Sequence, residues 1–105
     1  MPNIKFNYRY RDGSNYKNHG FVIFNSSQNI KLGFLQNLIK SKLIDETYFY
    51  ASKWNIPNLF FPNPDLELGP TWHEFESIEL TTERHNTLLS LTDFIKFVQS
   101  TKPIY

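Results

Sequence analysis

The chain contains no cysteine. Disulfides, thiolate zinc sites and a cysteine nucleophile are therefore excluded, and a reducing compartment, the cytoplasm, is the expected home. Glycine is scarce: Gly13, Gly20, Gly33 and Gly69 stand far apart. There is thus no glycine-rich phosphate loop and no dinucleotide fingerprint, which removes NTP hydrolysis and dinucleotide binding. No Gly-x-Ser-x-Gly elbow frames a serine, so the serine-hydrolase signature is missing too. Apolar runs are only a few residues long, too short for a membrane-spanning helix. Met1-Pro2-Asn3-Ile4-Lys5 lacks the apolar stretch of a secretory signal. The expectation is a cytosolic protein with no membrane association, no resident metal and no cofactor.

What the sequence does have is rings: ten Phe, six Tyr and two Trp in 105 residues. That length is usual for one domain, here 1–105, burying roughly two-thirds of its unfolded surface. Aromatic side chains supply most of the contact area of so small a core, and they also furnish binding surfaces. Charge is nearly balanced overall but unevenly placed. Residues 1–42 carry seven bases against Asp12, and residues 43–105 carry four bases against nine acids. Such a split fits either a polyanion partner or internal pairing between a basic and an acidic strand, and the second is favoured in a single domain.

Ile4, Phe6, Tyr8 and Tyr10 alternate with Lys5, Asn7, Arg9 and Arg11, the period of a strand with one wet face. Turn chemistry from Asp12 runs on through Gly20, and Phe21-Val22-Ile23-Phe24 reads as the returning strand. This predicts a hairpin with a loop of about eight residues holding Tyr16, Lys17 and His19. After a break at Asn25-Ser26-Ser27-Gln28-Asn29, rich in potential caps, Leu32, Leu35, Ile39 and Leu43 recur at helical spacing. Tyr48-Phe49-Tyr50-Ala51 and Leu59-Phe60-Phe61 are short strand candidates around an irregular passage at Trp54. The Asn63-to-Pro70 stretch is a loop by composition. The strand over residues 72–80 changes phase between Phe75 and Ile78, so either both faces are partly covered or a bulge near Glu76-Ser77 resets the alternation. A second helix starts at Ser90 with Asp93 three residues on; Leu91, Phe94, Ile95 and Val98 form its apolar stripe, and Pro103 stops it. The order β-β-α-(β)-β-α predicts an α+β fold, an antiparallel sheet of three to five strands with two helices on one face.

Trp72-His73-Glu74-Phe75-Glu76 is the one place where an imidazole and two carboxylates crowd together. On a strand, Glu74 and Glu76 share a face and His73 points away. Completed in space by His19 or His85, the set would make a small metal-dependent or hydrolytic enzyme. Left alone, the two carboxylates are surface partners for Arg9, Arg11 or Lys5. Tyr8-Arg9-Tyr10-Arg11 with Tyr16-Lys17 suggests nucleic-acid binding, rings stacking on bases and cations on phosphates. Against it, the rings and guanidiniums lie on opposite faces of the strand, and a pI of about 8.0 is low for a basic domain. The segments Tyr48-Phe49-Tyr50-Ala51, Ile56-Pro57-Asn58-Leu59-Phe60 and Trp72-His73-Glu74-Phe75-Glu76-Ser77 together resemble small bacterial proteins of about this length. That resemblance implies a bacterial, cytosolic, single-domain protein and carries over no catalytic or binding residue. The function expected first is a non-catalytic protein-interaction or ligand-binding module, with another protein or a second copy as partner. Arg9, Arg11, Tyr16, Lys17, Trp54 and Trp72 are its candidate binding residues.

Overall fold

The computed structural model describes residues 2–25, 30–60 and 72–102. Strands β1 (Asn3–Arg11), β2 (Lys17–Phe24), β3 (Tyr48–Phe49) and β4 (His73–Thr81) form one antiparallel sheet in the order β2-β1-β4-β3. Helices α1 (Leu32–Lys42) and α2 (Leu91–Gln99) complete the α+β fold, and a 3-10 turn, Ala51–Trp54, follows β3. Alternation along β1 is strict: Ile4, Phe6, Tyr8 and Tyr10 are all at most 1% exposed. Against that face pack Leu35 and Ile39 of α1 and Leu91, Phe94 and Val98 of α2 in one apolar cluster. The helical stripes and the strand period thus meet on a single face of the sheet, while Lys5, Asn7, Arg9 and Arg11 look outward.

Two local features follow from sequence chemistry. Asn7 pairs with Ser77 but Tyr8 pairs with Phe75, so Glu76 is the extra residue of a β-bulge. That one insertion lets Phe75 and Ile78, three residues apart, both serve the inner face. At the start of α2 the Ser90 hydroxyl accepts the Asp93 N–H at 3.0 Å, the N-cap that the Ser-x-x-Asp spacing predicts. By contrast α1 starts after Lys31 with no side-chain cap; the Ser26-to-Asn29 caps expected for it lie outside the described residues, as do Phe61, the predicted loop around Pro64, and Pro103.

The hairpin loop is shorter than its composition suggests. Strand β2 begins at Lys17, opposite Arg11, which leaves only residues 12–16 as loop and puts His19 in the strand. Within that loop Asp12 Oδ1 accepts the N–H groups of Ser14 and Tyr16, each at 2.9 Å. Asn15 takes the left-handed φ of 70° that closes the turn. Of the second strand candidate, Leu59 and Phe60 are not in a strand. Residues 56–60 instead lie as a strap across the inner face. The Tyr8 hydroxyl donates to the Pro57 carbonyl at 2.6 Å, Asn18 Nδ2 donates to the Leu59 carbonyl at 2.9 Å, and the Leu59 N–H donates to His73 Nε2 at 2.8 Å.

Leu59 reaches the sheet because Gly20 has no side chain: a Cβ there would stand 2.7 Å from Leu59 Cδ2. Gly20→Val is therefore expected to lower unfolding stability in urea by about 2 kcal/mol, the usual scale of overpacking. The Gly20→Val, Leu59→Ala double variant should be less destabilised than the sum of the two single changes, because the clash is shared. Strict additivity would show that the two positions do not meet.

Candidate functional site

The outer face of the sheet gathers most of the candidate residues, and its register explains how. His19, Arg9, Glu74 and Tyr48 form one row across all four strands. Glu74 sits in the middle of that row and is only 6% exposed. Arg9 holds its Oε1 through Nε at 2.9 Å and Nη2 at 2.8 Å, and Arg11 holds its Oε2 through Nε at 2.9 Å. A fourth contact, Arg11 Nη2 to Oε1, is at 3.3 Å, and Arg11 Nη1 also reaches Asn15 Oδ1 in the hairpin loop at 2.5 Å. Burial alone raises the Glu74 pKa; the hydrogen bonds and charges of Arg11 and Arg9 more than offset it and leave the carboxyl below its ordinary value. One carboxylate thereby fixes two guanidiniums in planar, forked geometry.

Beside this clamp Tyr48 and Trp72 tilt against each other with ring centroids 5.6 Å apart, and Trp72 is 40% exposed. Tyr16 and Lys17, both exposed, close the hairpin end of the same region. Five of the six predicted binding residues thus belong to one side of the sheet or its hairpin end. The sixth does not: Trp54 is 1% exposed, lies flat on Phe49 at 4.6 Å, and gives its indole N–H to Thr101 Oγ1 at 2.8 Å. Its principal place is the core. Tyr48, which the sequence reading did not select, belongs to the site only because β3 is the neighbour of β4. No local pattern announces that.

The enzymatic grouping comes apart. His73 turns to the inner face, as alternation requires, and is 1% exposed between Tyr8, Tyr10, Phe49 and Phe60. Burial lowers its pKa to about 4. Glu76 meets His19 instead, at 2.5 Å between Oε1 and Nδ1, on open surface. His85 is exposed. Among the described residues no three His, Asp or Glu side chains are placed to hold a metal ion. The nucleic-acid grouping comes apart as well, since Tyr8 and Tyr10 are buried on the opposite face and both guanidiniums are committed to Glu74.

Pairing accounts for part of the charge split, through Lys5, Arg9 and Arg11. Lys5 meets Glu83 at 2.9 Å, Arg9 and Arg11 meet Glu74, and His19 meets Glu76, in each case a base of the first half with an acid of the second. Glu83 belongs to the connection after β4, which then closes the free edge of β2. There Asn86 donates its N–H to the Ile23 carbonyl and accepts the Ile23 N–H on Oδ1, at 3.1 and 2.8 Å. A stretch that reads as mere polar linker is thus an edge cover.

Comparison with protein-family models, with curated proteins and with solved structures gave no match to this chain, so the likeness to small bacterial proteins gains no support from them. No helix among the described residues is long and apolar enough to cross a membrane.

Proposed function

We propose that this protein is a non-catalytic interaction module of the cytoplasm, with the outer sheet face as its binding surface. The observation that carries this reading is the cluster of Trp72, Tyr48, Arg9 and Arg11 held in place by Glu74. Trp, Tyr and Arg are the residue types that dominate binding energy at protein interfaces. Held by the tilted contact between Tyr48 and Trp72 and by the ion pairs of Arg9 and Arg11 with Glu74, they lose little freedom when a partner arrives. The cysteine-free composition suits a reducing compartment.

The partner that the charge pattern fits is a second copy. A two-fold axis lying along the β1–β4 boundary would set β1 of one copy over β4 of the other, and β2 over β3. Because His19, Arg9, Glu74 and Tyr48 share one row, the symmetry puts Arg9 over Glu74 and His19 over Tyr48. The Arg9–Glu74 pairs, already formed within each copy, then face one another with opposite polarity, and His19 faces a ring, in both directions. The part of the face left free by the Glu83 connection spans three full strands, about 14 Å, over about 20 Å, with the two-residue β3 beside them, or about 300 Å² per copy from standard strand spacings. Such an area belongs to the transient class, with a dissociation constant of the order of 100 µM.

Sedimentation equilibrium between about 5 and 500 µM is expected to show a reversible dimer that weakens as salt rises. Trp72→Ala should weaken it about tenfold or more, the scale of an interface anchor. A strict monomer over that range, or a dimer indifferent to Trp72→Ala, would overturn this assembly.

A further inference from the structure

The most unusual concentration of unused charge lies away from the outer face, where α1, the 3-10 turn and α2 all end together. Between them is a cavity of about 150 Å³ whose mouth carries Lys42, Lys53 and Lys102 against a single acid, Asp45. The chain is steered around it by left-handed residues, Asp45 at φ 49° and Glu46 at 62° after α1, and Asn55 at 59° after the 3-10 turn. Its apolar lining is Leu43, Ile44, the ring of Tyr50 and the stacked Phe49–Trp54 pair, with Ser41 and Thr101 as neutral polar neighbours.

Three facts distinguish this site from an ordinary solvated surface. First, Lys42, Lys53 and Lys102 converge on one cavity and form no ion pair among the described residues, whereas Lys5, Arg9 and Arg11 on the outer sheet face are each paired with a carboxylate. Second, the lysines are oriented by neighbours that leave their charge available. Lys42 Nζ donates to the Thr101 carbonyl at 3.1 Å, which uses one of its three protons, and the Lys53 ammonium stands 5.1 Å from the Tyr50 ring centroid. Third, the volume matches that of a buried cavity able to hold a benzene ring, about 150 Å³. An apolar wall of one-ring size under a rim of ammonium groups has the complementarity of an anion with an aromatic body.

We propose that this cavity binds a small monocyclic aromatic carboxylate, ring against Tyr50, Leu43 and Ile44, carboxylate toward Lys53 and Lys102. The site is independent of the outer face, so dimerisation and ligand binding stand or fall separately. Lysines at helix C-termini also favour the local carbonyls, and that is the competing explanation for their presence.

Intrinsic fluorescence separates the two. In a Trp72→Phe background Trp54, beneath the cavity, is the sole indole. Titration with benzoate should change its emission in a saturable way, with a dissociation constant of about 1 mM or tighter, a modest efficiency for so few atoms. Benzamide, the same ring without the charge, should bind about tenfold more weakly or worse. Lys53→Gln and Lys102→Gln, both at exposed positions where folding is not at issue, should each weaken benzoate several-fold, as should a rise in salt. No saturable change with benzoate at 20 mM, on the scale of about 20 times the expected constant, would overturn the proposal and leave the lysines as helix-end charges. Equal binding of benzamide would overturn the role of the lysine rim, and equal binding of inorganic phosphate would overturn the role of the apolar wall.

Discussion

Phe6→Ala is expected to remove about 4 kcal/mol of unfolding stability, the upper part of the range for a buried ring. Phe6 is 0% exposed, and five other rings surround it. Centroids of Tyr8 and Phe75 lie at 5.4 Å, Phe94 at 5.5 Å, Phe49 at 5.6 Å and Trp54 at 6.1 Å. Those rings come from β1, β4, α2, β3 and the 3-10 turn, so one side chain joins every layer of the fold except α1. The void left by truncation cannot close easily. Phe6 lies on a central strand bonded on both sides, to Val22 and to Ile78, and the ladder holds the backbone where it is. The loss therefore combines transfer energy, cavity cost and the edge-to-face contacts with Phe49, Trp54 and Phe94. In urea the midpoint should fall while the slope stays constant, and the melting temperature should drop by roughly 20 °C. Phe97→Ala, at a position 36% exposed on α2, should cost less than about 1 kcal/mol. Similar values for the two variants would show that Phe6 does not organise the core.

The same ring shows why the fold could be read from the sequence. Phe6 lies in an alternation whose partners are decided by a period of two, and the two helices by a period near 3.6; both signals are local and strong where one face is fully buried. The bulge was half legible for a related reason: the phase slip between Phe75 and Ile78 allowed either a bulge or cover on both faces, and the register with β1 decides for the bulge. What failed was of another kind. Lys17-Asn18-His19-Gly20 has the composition of a loop, yet it is a strand because Arg11, Tyr10, Arg9 and Tyr8 stand opposite and supply the ladder. Strand propensity is largely a statement about such neighbours. The candidate site divides in the same way. Pairing of Arg9 and Arg11 with a carboxylate follows from the charge split, and the alternation of β4 puts His73 opposite Glu74. Tyr48 enters only through strand order, and the lysine-rimmed cavity only through the meeting of the stretch over residues 41–54 with Thr101 and Lys102 after α2. Nothing within a window of ten residues encodes either.

His73 should make the protein sensitive to mild acid, in a direction fixed by its surroundings. Its Nε2 accepts the Leu59 N–H at 2.8 Å, so the ring is neutral with its proton on Nδ1, and among the described residues that buried Nδ1 has no partner. A protonated ring would carry a hydrogen on Nε2 aimed at the Leu59 N–H, losing the bond that ties the strap of residues 56–60 to β4. It would also place a charge among the rings of Tyr8, Tyr10, Phe49 and Phe60. Burial accordingly lowers the folded-state pKa from 6.5 to about 4, while it raises that of Tyr8 to about 12. The unfolded chain takes up the imidazole proton below about pH 6.5 and the folded chain resists it until about 4. Stability is therefore complete above that window and declines as pH falls through it, by about 3 kcal/mol in all. Below it the His73 contribution is exhausted, and further loss comes as Glu74, whose carboxyl is held low by Arg11 and Arg9, accepts its proton. Urea titrations at pH 7, 6, 5 and 4.5 should show the decline. In His73→Gln, whose amide oxygen can still accept from Leu59, the slope across this window should flatten, whereas His19→Gln, on the exposed face, should leave the His73 slope in place. NMR of the ring protons gives the direct check: a His73 resonance that titrates near pH 6.5 in the folded protein would refute the burial argument and the locked strap together.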